Sequence, residues 1–465
     1  MIVLKFGGTS VGSSSAIRRV GSIIQERLER QPFVVVSAVG GVTDRLFELR
    51  DLCLEEQAWE DSFASLCGIH RTILEELELD VQLVDGLLEE LKGLLGELAA
   101  AGECTPQALD HLVSFGERMS SRLVSGHLRS LGIESCAVDA FDAGLVTDSR
   151  FQRARPLADV NSRIQEACRS LAGVVVATGY IARDEEGNIT TLGRGGSDYT
   201  ASIFGAALGS EEIQIWTDVD GVMTADPRIV ENARPLATLS FEEAAELAFY
   251  GARVIHPATM IPAVDQDIPI RVLNTHRPDF PGTLILADLA EDALGVKSIT
   301  SKSHVSVVNV VAPRMLDQYG FLARVADVFS RFEVVVDIIA TSEVSIAFTT
   351  QGGGQLDSAI GELKEFCRVD VYHDREQISV VGEDIRDRIG FASEVFDVLG
   401  ELKGNVELIS FGATRINLSF LVGEGQAADV FEWLVSGAGD DEQLRNTRSS
   451  LGTTVDEIEK RKKFY

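Results

Sequence analysis

Residues 1–12 read MIVLKFGGTSVG, an apolar run that ends on Lys5 and Phe6 and passes at once into Gly7, Gly8, Thr9 and Ser10. An apolar run broken by paired glycines predicts a buried strand turning tightly into a helix, which the serines at 13–15 would begin. Backbone amides at such a turn form an anion cradle, and Lys5 adds a positive charge beside it. The spacing is neither GxxxxGK[ST] nor GxGxxG, so it matches neither of the common nucleotide-binding loops. An ordinary strand-to-helix turn with a solvated lysine accounts for the same residues. Lysine is scarce nearby: after Lys5 the next are Lys92 and Lys297, and arginine fills nearly every other basic position between. A compact ammonium kept where arginine is otherwise preferred raises the question of what a point charge does there.

Outward from this turn, further strand-like runs fall at residues 33–38, 135–139, 173–178, 213–217 and 269–273. Several are continuously apolar, as strands covered on both faces are, and they alternate with longer helical stretches. The pattern predicts an α/β domain over residues 1–295 with a mostly parallel sheet between helix layers. Residues 51–131 are instead rich in Leu and Glu, with a stripe (Leu87, Leu88, Leu91, Leu94, Leu95, Leu98) at helical spacing that predicts helices bordering the sheet. The chain has 465 residues, and 42 basic against 72 acidic side chains give a formal charge of −30. Such a surface repels phosphate backbones and anionic lipid, so neither nucleic acid nor membrane is an expected partner. The apolar runs are too short and glycine-rich to span a bilayer. The six cysteines form no CxxC pair, which predicts reduced thiols in a cytoplasmic protein.

A second glycine-rich turn lies at residues 191–200, TLGRGGSDYT, after the strand at 173–178 and a hairpin-like segment at 184–188. Arg194 can grip a carboxylate with two parallel hydrogen bonds, and Ser197 can add a third. Asp198 reads either as a helix cap or as the partner of Lys5 or of a substrate amino group. The third element, residues 216–228 (WTDVDGVMTADPR), carries a strand into an acidic loop at the sheet edge where open α/β sheets bind ligands. Residues 249–257 (FYGARVIHP) bring another cation near a turn. His256, before a proline, reads as a packed and hydrogen-bonded residue. No histidine set has metal-ligand spacing, and no Ser/His/Asp set argues for nucleophilic hydrolysis; no resident metal site is expected.

The last third repeats itself. Gly320-Phe321-Leu322-Ala323-Arg324-Val325 recurs as Gly390-Phe391-Ala392-Ser393-Glu394-Val395, and the same offset pairs Val336 with Val406 and Ile339 with Ile409. Each copy reads as a βαββαβ unit, one opened by residues 305–311 and the other by residues 377–381. Two stacked modules, over about 303–374 and 375–440, are expected within a regulatory region at residues 296–465. Residues 288–295 form the expected linker, and the basic run at 459–463 reads as a solvated end.

In this order and spacing, KFGGTSV (5–11), SFGERM (114–119), LGRGGSD (192–198) and the loops at 217–228 and 251–257 resemble the aspartate kinases of the amino-acid kinase family. The C-terminal repeats resemble their paired ACT domains, so the likeness covers nearly the whole chain. No homoserine dehydrogenase region follows, as in the monofunctional forms. The resemblance implies a three-layer α/β sandwich with two ACT-like modules. It implies ATP-dependent phosphorylation of the β-carboxylate of L-aspartate, the entry to lysine, methionine and threonine synthesis, with Mg²⁺ arriving on the nucleotide. By motif position it gives Lys5 and Asp198 catalytic roles and Ser37, Thr43, Glu117, Arg194 and Ser197 to aspartate. Arg194 would meet the α-carboxylate and Glu117 the amino group. Lys5, Gly7, Gly8, Ser10, Thr217, Asp218, Met223, Arg228 and Arg253 fall at nucleotide positions. Many members carry tyrosine in place of Met223 and lysine in place of Arg253, so an aromatic contact is absent and a planar fork replaces a point charge.

For regulation, Met315, Gln318, Gly320, Phe321, Leu322, Asp337, Ser342 and Glu343 match an amino-acid effector site in the first module. The acids Asp337 and Glu343 would hold ammonium groups, which implies feedback inhibition by lysine, with or without threonine, in a homodimer joined through the modules. Core packing is the competing reading for Phe321 and Leu322. Three other readings compete: a family kinase with a different acceptor, an inactive amino-acid sensor, and a dinucleotide oxidoreductase. The second is disfavoured because Lys5 and Asp198 are both present, and the third lacks GxGxxG.

Overall fold

The computed structural model describes residues 1–226, 233–250, 255–289, 295–311, 320–353, 355–401, 404–411 and 415–426. The chain divides into two compact units. The first comprises Met1–Val222, Pro235–Phe241 and Val254–Asp288; the second comprises Met223–Arg234, Glu242–Arg253 and Leu289–Tyr465. Most of the linker expected at 288–295, and the whole basic run at 459–463, lie outside the described residues.

The first unit is built on strands β1 (Ile2–Phe6), β2 (Pro32–Val36), β3 (Ser135–Val138), β4 (Val146–Thr147), β5 (Val174–Thr178), β6 (Ile181–Asp184), β7 (Ile189–Thr191), β8 (Glu212–Thr217), β9 (Thr238–Ser240), β10 (Ile270–Asn274) and β11 (Thr283–Leu286). Its helices are α1 (Ser14–Gln25), α2 (Val42–Leu54), α3 (Glu60–Glu76), α4 (Gln82–Ala101), α5 (Pro106–Ser130), α6 (Val160–Cys168), α7 (Gly196–Leu208) and α9 (Pro257–Val264); α8 (Phe241–Tyr250) begins here and continues in the second unit. The central sheet runs β3-β5-β2-β1-β8-β10-β11-β9, parallel except for the β10–β11 pair. The strands read as apolar runs therefore form the predicted parallel sheet, each displaced by no more than a residue or two.

Alternation along β1 decides what faces what. Ile2, Leu4 and Phe6 join one continuous core with Ile17, Leu46, Leu91, Leu95, Leu112 and Phe115, which places α1, α2, α4 and α5 on that side of the sheet. The leucine stripe of α4 packs into this core, as its spacing predicts. Val3 and Lys5 point the other way, toward the layer containing α7, whose Phe204 ring lies tilted 4.6 Å (centroid to centroid) from Phe33 of β2. Lys5 is thus the one charged residue of an otherwise apolar strand, and period-two alternation aims it at the helix that Gly195 caps.

The second unit holds β12 (Gly295–Val311), α10 (Phe321–Arg331), β13 (Ile339–Thr341), β14 (Ser345–Thr350), α11 (Leu356–Leu363), β15 (Arg368–Glu383), α12 (Phe391–Glu401), β16 (Leu408–Phe411) and β17 (Asn417–Val422). One antiparallel sheet runs β13-β14-β12-β15-β17-β16. The strands that open the two copies are much longer than expected. β12 and β15 each serve both copies: Val307–Val311 pair with β14 and with the start of β15, whereas Ile299–Lys302 pair with the end of β15. The polar residues Lys302, Ser303 and His304 break the apolar pattern where β12 bulges, and His304 has a φ of +56°. Alternation stops at that bulge, although the strand continues through it. Each copy keeps its own core. Val325, Val328 and Phe329 pack on Ile346 and Phe348, and Phe391, Val395 and Leu399 pack on Ile378, Val380 and Phe420. Gly320 and Gly390, one repeat apart, both take left-handed backbone (φ +81° and +85°) just before a helix, a conformation that glycine adopts without strain.

Two segments that precede residue 295 belong to this second unit. Ile299 N–H donates to the Thr224 carbonyl (2.9 Å), the Ser298 hydroxyl donates to the carbonyl of Met223 (3.1 Å), and Ala225 joins the core of Ile378 and Phe420. On α8, Glu243 Oε1 accepts the Glu383 N–H and Glu246 Oε2 accepts from the Asn417 amide, both at 2.8 Å.

Candidate active site

A cleft of about 640 Å³ opens at the carboxyl edge of β1 and β2. Its walls come from Lys5 and Gly8, from residues 37–41 with Thr43, from one face of α5, from Gln152 and Tyr180, and from residues 193–198. Of the residues singled out in the sequence, Lys5, Gly8, Ser37, Thr43, Glu117, Arg194, Ser197 and Asp198 line this one space. Six separate stretches of chain meet there.

The first turn is tighter than a fully open amide cradle. Gly7 N–H donates to the Trp216 carbonyl, and the amides of Ser10, Val11 and Gly12 close a short 3-10 turn. Ser10, expected at the nucleotide, is only 2% exposed, and its hydroxyl turns inward to Trp216 O and Thr275 Oγ1 (both 3.4 Å). Its side chain braces the ends of β8 and β10 instead of facing the cleft. Gly8 is glycine for proximity: a Cβ there would sit 3.0 Å from the Ala38 carbonyl, and one on Gly40 would sit 3.2 Å from the Gly8 carbonyl. Two glycine loops thereby pack backbone against backbone. The Ser37 amide, held by the Phe6 carbonyl at 3.0 Å, follows from the same contact.

The second turn holds two glycines in left-handed backbone, Gly193 (φ +77°) and Gly195 (φ +72°). Gly195 caps α7 without a side-chain bond, so Asp198 is not the helix cap; it sits in the first turn, with Oδ1 2.6 Å from Lys5 Nζ. Both side chains are largely shielded, at 12% and 14% exposure. Arg194 is exposed, and no acid among the described residues pairs with it.

Glu117 lies on α5, where Gly116 lets the helix approach Ala38; a Cβ there would be 2.7 Å from the Ala38 Cβ. Glu117 Oε1 accepts the Ala38 N–H at 3.1 Å, while Oε2 is buried with no partner among the described residues. Burial pushes this carboxyl up to about 8, against the opposing pull of the Ala38 amide. A buried carboxylate with one unpartnered oxygen is suited to an incoming cation.

Thr217 and Asp218 sit at the end of β8, next to β1 in the sheet, outside the lining of this cleft; the Thr217 hydroxyl donates to Asp218 Oδ1 at 3.1 Å. Met223 belongs with the second compact unit, and Arg228 and Arg253 lie outside the described residues. His256 is exposed and not packed: its Nδ1 accepts the Ala258 N–H and caps α9.

In the first repeat module, Phe321 packs against the Phe366 ring as core, Leu322 is 47% exposed, and Gly320 precedes α10. Asp337 is not an open acid: its side chain is 3% exposed and lies 2.5 Å from Lys302 Nζ. Glu343 is exposed, and the Ser342 hydroxyl bonds with that of Ser345. The acids are therefore not equivalent, because one already holds an ammonium from this chain. Met315 and Gln318 lie outside the described residues.

Sequence reasoning passed over Asp110, Gln152 and Tyr180. Asp110 stands seven residues before Glu117, on the same helix face two turns away, and that spacing was the available signal. Nothing in the sequence marked Gln152 or Tyr180, whose φ values of +68° and +66° are properties of the folded backbone.

Residues 1–274 match the amino acid kinase family, and residues 378–435 match the ACT domain. The chain is 37% identical to the chloroplastic aspartokinase 1 of Arabidopsis thaliana, over 91% of this chain and 78% of that protein. It is 36% identical to the lysine-sensitive aspartokinase 3 of Escherichia coli (strain K12), over 94% and 98%. The chain belongs to the aspartokinases of the amino acid kinase family. These are kinases that phosphorylate aspartate. The crystal structure of E. coli aspartokinase III in complex with aspartate and ADP (R-state) superposes with a TM-score of 0.79 at 34% identity, covering 92% of this chain and 98% of that one.

Proposed function

We propose that the cleft between the two glycine turns is where the enzyme seats L-aspartate against MgATP and transfers the γ-phosphoryl group to the β-carboxylate. The observation that carries this reading is the convergence of Lys5, Glu117, Arg194, Ser197 and Asp198 on one space. A zwitterion with a second carboxylate needs one cation, one buried acid and a neutral donor, and these residues supply that set. Arg194 holds the α-carboxylate, with Ser197 donating beside it. Glu117 receives the ammonium on its unpartnered oxygen. Ser37 and Thr43 also line the cleft.

The attacking β-carboxylate is ionised at neutral pH, so the reaction needs no strong general base. Rate comes from alignment and from neutralising charge on the transferring group. Lys5 supplies the cation, and Asp198 fixes where its ammonium points. The metal enters with the nucleotide, held by phosphates and water. Thr217 and Asp218 at the end of β8 form the nucleotide side of this reading, beside the Gly7–Gly8 turn that follows β1. Trapping acyl phosphate with hydroxylamine tests it: hydroxamate must form only with aspartate and ATP present and must disappear in Lys5→Ala. Hydroxamate from glutamate in place of aspartate would overturn it.

Feedback control by lysine belongs to the same reading, supported by the lysine sensitivity named for the E. coli relative and by the duplicated ACT-like copies. The enzyme works in the cytoplasm as a homodimer joined through these copies; exposed Val335 (68%) and Ile339 (50%), at and beside edge strand β13, suit such a contact. No helix among the described residues is long and apolar enough to cross a membrane.

A further inference from the structure

Asp110 is 1% exposed at the floor of the cleft, and no cation pairs with it among the described residues. Its carboxylate is fully engaged by neutral donors. Oδ2 accepts the backbone N–H groups of Gln152 and Thr191, each at 2.8 Å, and Oδ1 accepts the Thr191 hydroxyl at 2.9 Å. Burial pushes the Asp110 carboxyl above its usual range, against the downward pull of these three bonds. A buried acid that holds two backbone segments at once acts on the placement of those segments.

Both segments lead to the arginine turn. Thr191 is the last residue of β7, three positions before Arg194. Gln152 is held in left-handed backbone (φ +68°), and a Cβ on Gly193 would stand 3.0 Å from its carbonyl. Non-glycine residues in that conformation persist only where their surroundings impose it. A further bond, Ala154 N–H to the Thr191 carbonyl at 2.8 Å, locks the two segments together. Arg194 has no acid partner among the described residues, so where its guanidinium starts from is set by the turn that carries it.

We propose that Asp110 is a positioning residue for the acceptor: it fixes Gln152 and Thr191 so that the Arg194 turn stands ready for the substrate α-carboxylate. The inference rests on the reading of Arg194 as the acceptor's clamp. It acts on aspartate binding and leaves the phosphoryl donor alone. Asp110→Ala removes all three bonds, whereas Asp110→Asn keeps one oxygen for both N–H groups and offers its NH₂ to the Thr191 oxygen.

Steady-state kinetics of the full-length enzyme, with Arg194→Ala as reference, decide the matter. In Asp110→Ala the aspartate KM rises about tenfold while kcat and the ATP KM stay within about threefold, and Asp110→Asn returns the aspartate KM toward the wild-type value. A folded Asp110→Ala enzyme with an unchanged aspartate KM, or with both KM values raised alike, overturns the proposal. If Arg194→Ala itself leaves the aspartate KM unchanged, the clamp reading fails, and that outcome is distinct from a failure at Asp110 alone. Should Asp110→Ala not fold, Thr191→Val decides: a rise of about threefold or more confined to the aspartate KM supports the role, and no change overturns it.

Discussion

Lys5 Nζ and Asp198 Oδ1 stand 2.6 Å apart across the mouth of the cleft, one at the end of the first strand and the other in the first turn of α7. The pair is shielded but not buried, so its partners stay within reach of a substrate. An ammonium tethered in this way keeps its direction when a triphosphate arrives, which is the preorganisation that phosphoryl transfer requires. Lys5→Ala is expected to lower kcat by a factor of about 10² to 10³, with a melting temperature near that of the wild type. Lys5→Arg should restore little, because a planar fork cannot occupy the place of a point charge. Asp198→Asn leaves the ammonium present but undirected, and a smaller loss of kcat is expected. Hydroxamate formation and thermal unfolding measured on the same preparations check all three.

Glu117 makes aspartate binding depend on pH in a definite direction. Burial pushes its carboxyl up to about 8, well above the 4.5 of a free glutamate side chain. At pH 7 it is therefore mostly protonated, and pairing with the substrate ammonium must expel that proton. The aspartate KM should fall as pH rises from about 6 to 8.5, and binding should release a proton that calorimetry in buffers of different ionisation enthalpy detects. Stability runs the other way. Between 4.5 and about 8 the folded chain holds a proton that the unfolded chain has lost, so this group's contribution to stability declines as pH rises through that window. Glu117→Gln should abolish both dependences while raising the aspartate KM by about 10²-fold, the loss of a buried charge-assisted contact. A pH-independent aspartate KM in the wild type would show that the ammonium goes elsewhere.

Much of this site was legible in the sequence because its chemistry sits on turns whose glycines carry a geometric demand. Lys5 could be read either as facing a ligand or as a solvated lysine at an ordinary turn, and glycines marked both turns, although the left-handed backbone of Gly193 and Gly195 belongs to the folded chain. The parallel sheet followed from continuous apolar runs. Less was visible where function depends on distant backbone. The inward turn of the Ser10 hydroxyl requires Thr275, more than half a chain away. The engagement of Asp337 requires Lys302, whose residue type says nothing of a partner 35 residues away. The shared strands β12 and β15 were hidden because a bulge interrupts alternation without ending the strand.

Gly179 is a place where the fold of the cleft depends on one missing methyl group. A Cβ there would meet the Ser197 Cβ and Oγ at 2.7 Å, closer than side chains tolerate. Gly179→Ala must push the start of α7 away from β5, moving Ser197 and Asp198 together. The expected loss of stability is about 1–3 kcal/mol, as for other overpacked sites. Activity should fall further than stability alone explains, because Ser197 and the Asp198 partner of Lys5 shift together. Denaturant unfolding together with kcat/KM for aspartate checks this. A variant that loses stability but keeps its kinetics would mean that the helix absorbs the methyl group by local adjustment.

Lys302 and Asp337 yield a prediction about regulation whose sign is set by the structure. The Lys302 ammonium lies 2.5 Å from Asp337 Oδ2, with side-chain exposures of only 11% and 3%, so an effector ammonium directed at Asp337 must compete with a charge supplied by the chain itself. Lys302→Met removes the competitor while keeping most of the side-chain volume. The uncompensated acid then favours any free amine, and lysine should inhibit at concentrations lower by about tenfold, with a destabilised apo-enzyme whose melting temperature lysine raises more than in the wild type. Asp337→Asn should do the reverse, weakening lysine inhibition while leaving aspartate and ATP kinetics in the absence of lysine unchanged. Inhibition curves and melting temperatures at graded lysine concentrations separate these outcomes. If Lys302→Met and the wild type respond to lysine identically, Asp337 does not receive the effector ammonium, and the exposed carboxylate of Glu343 becomes the acid to test.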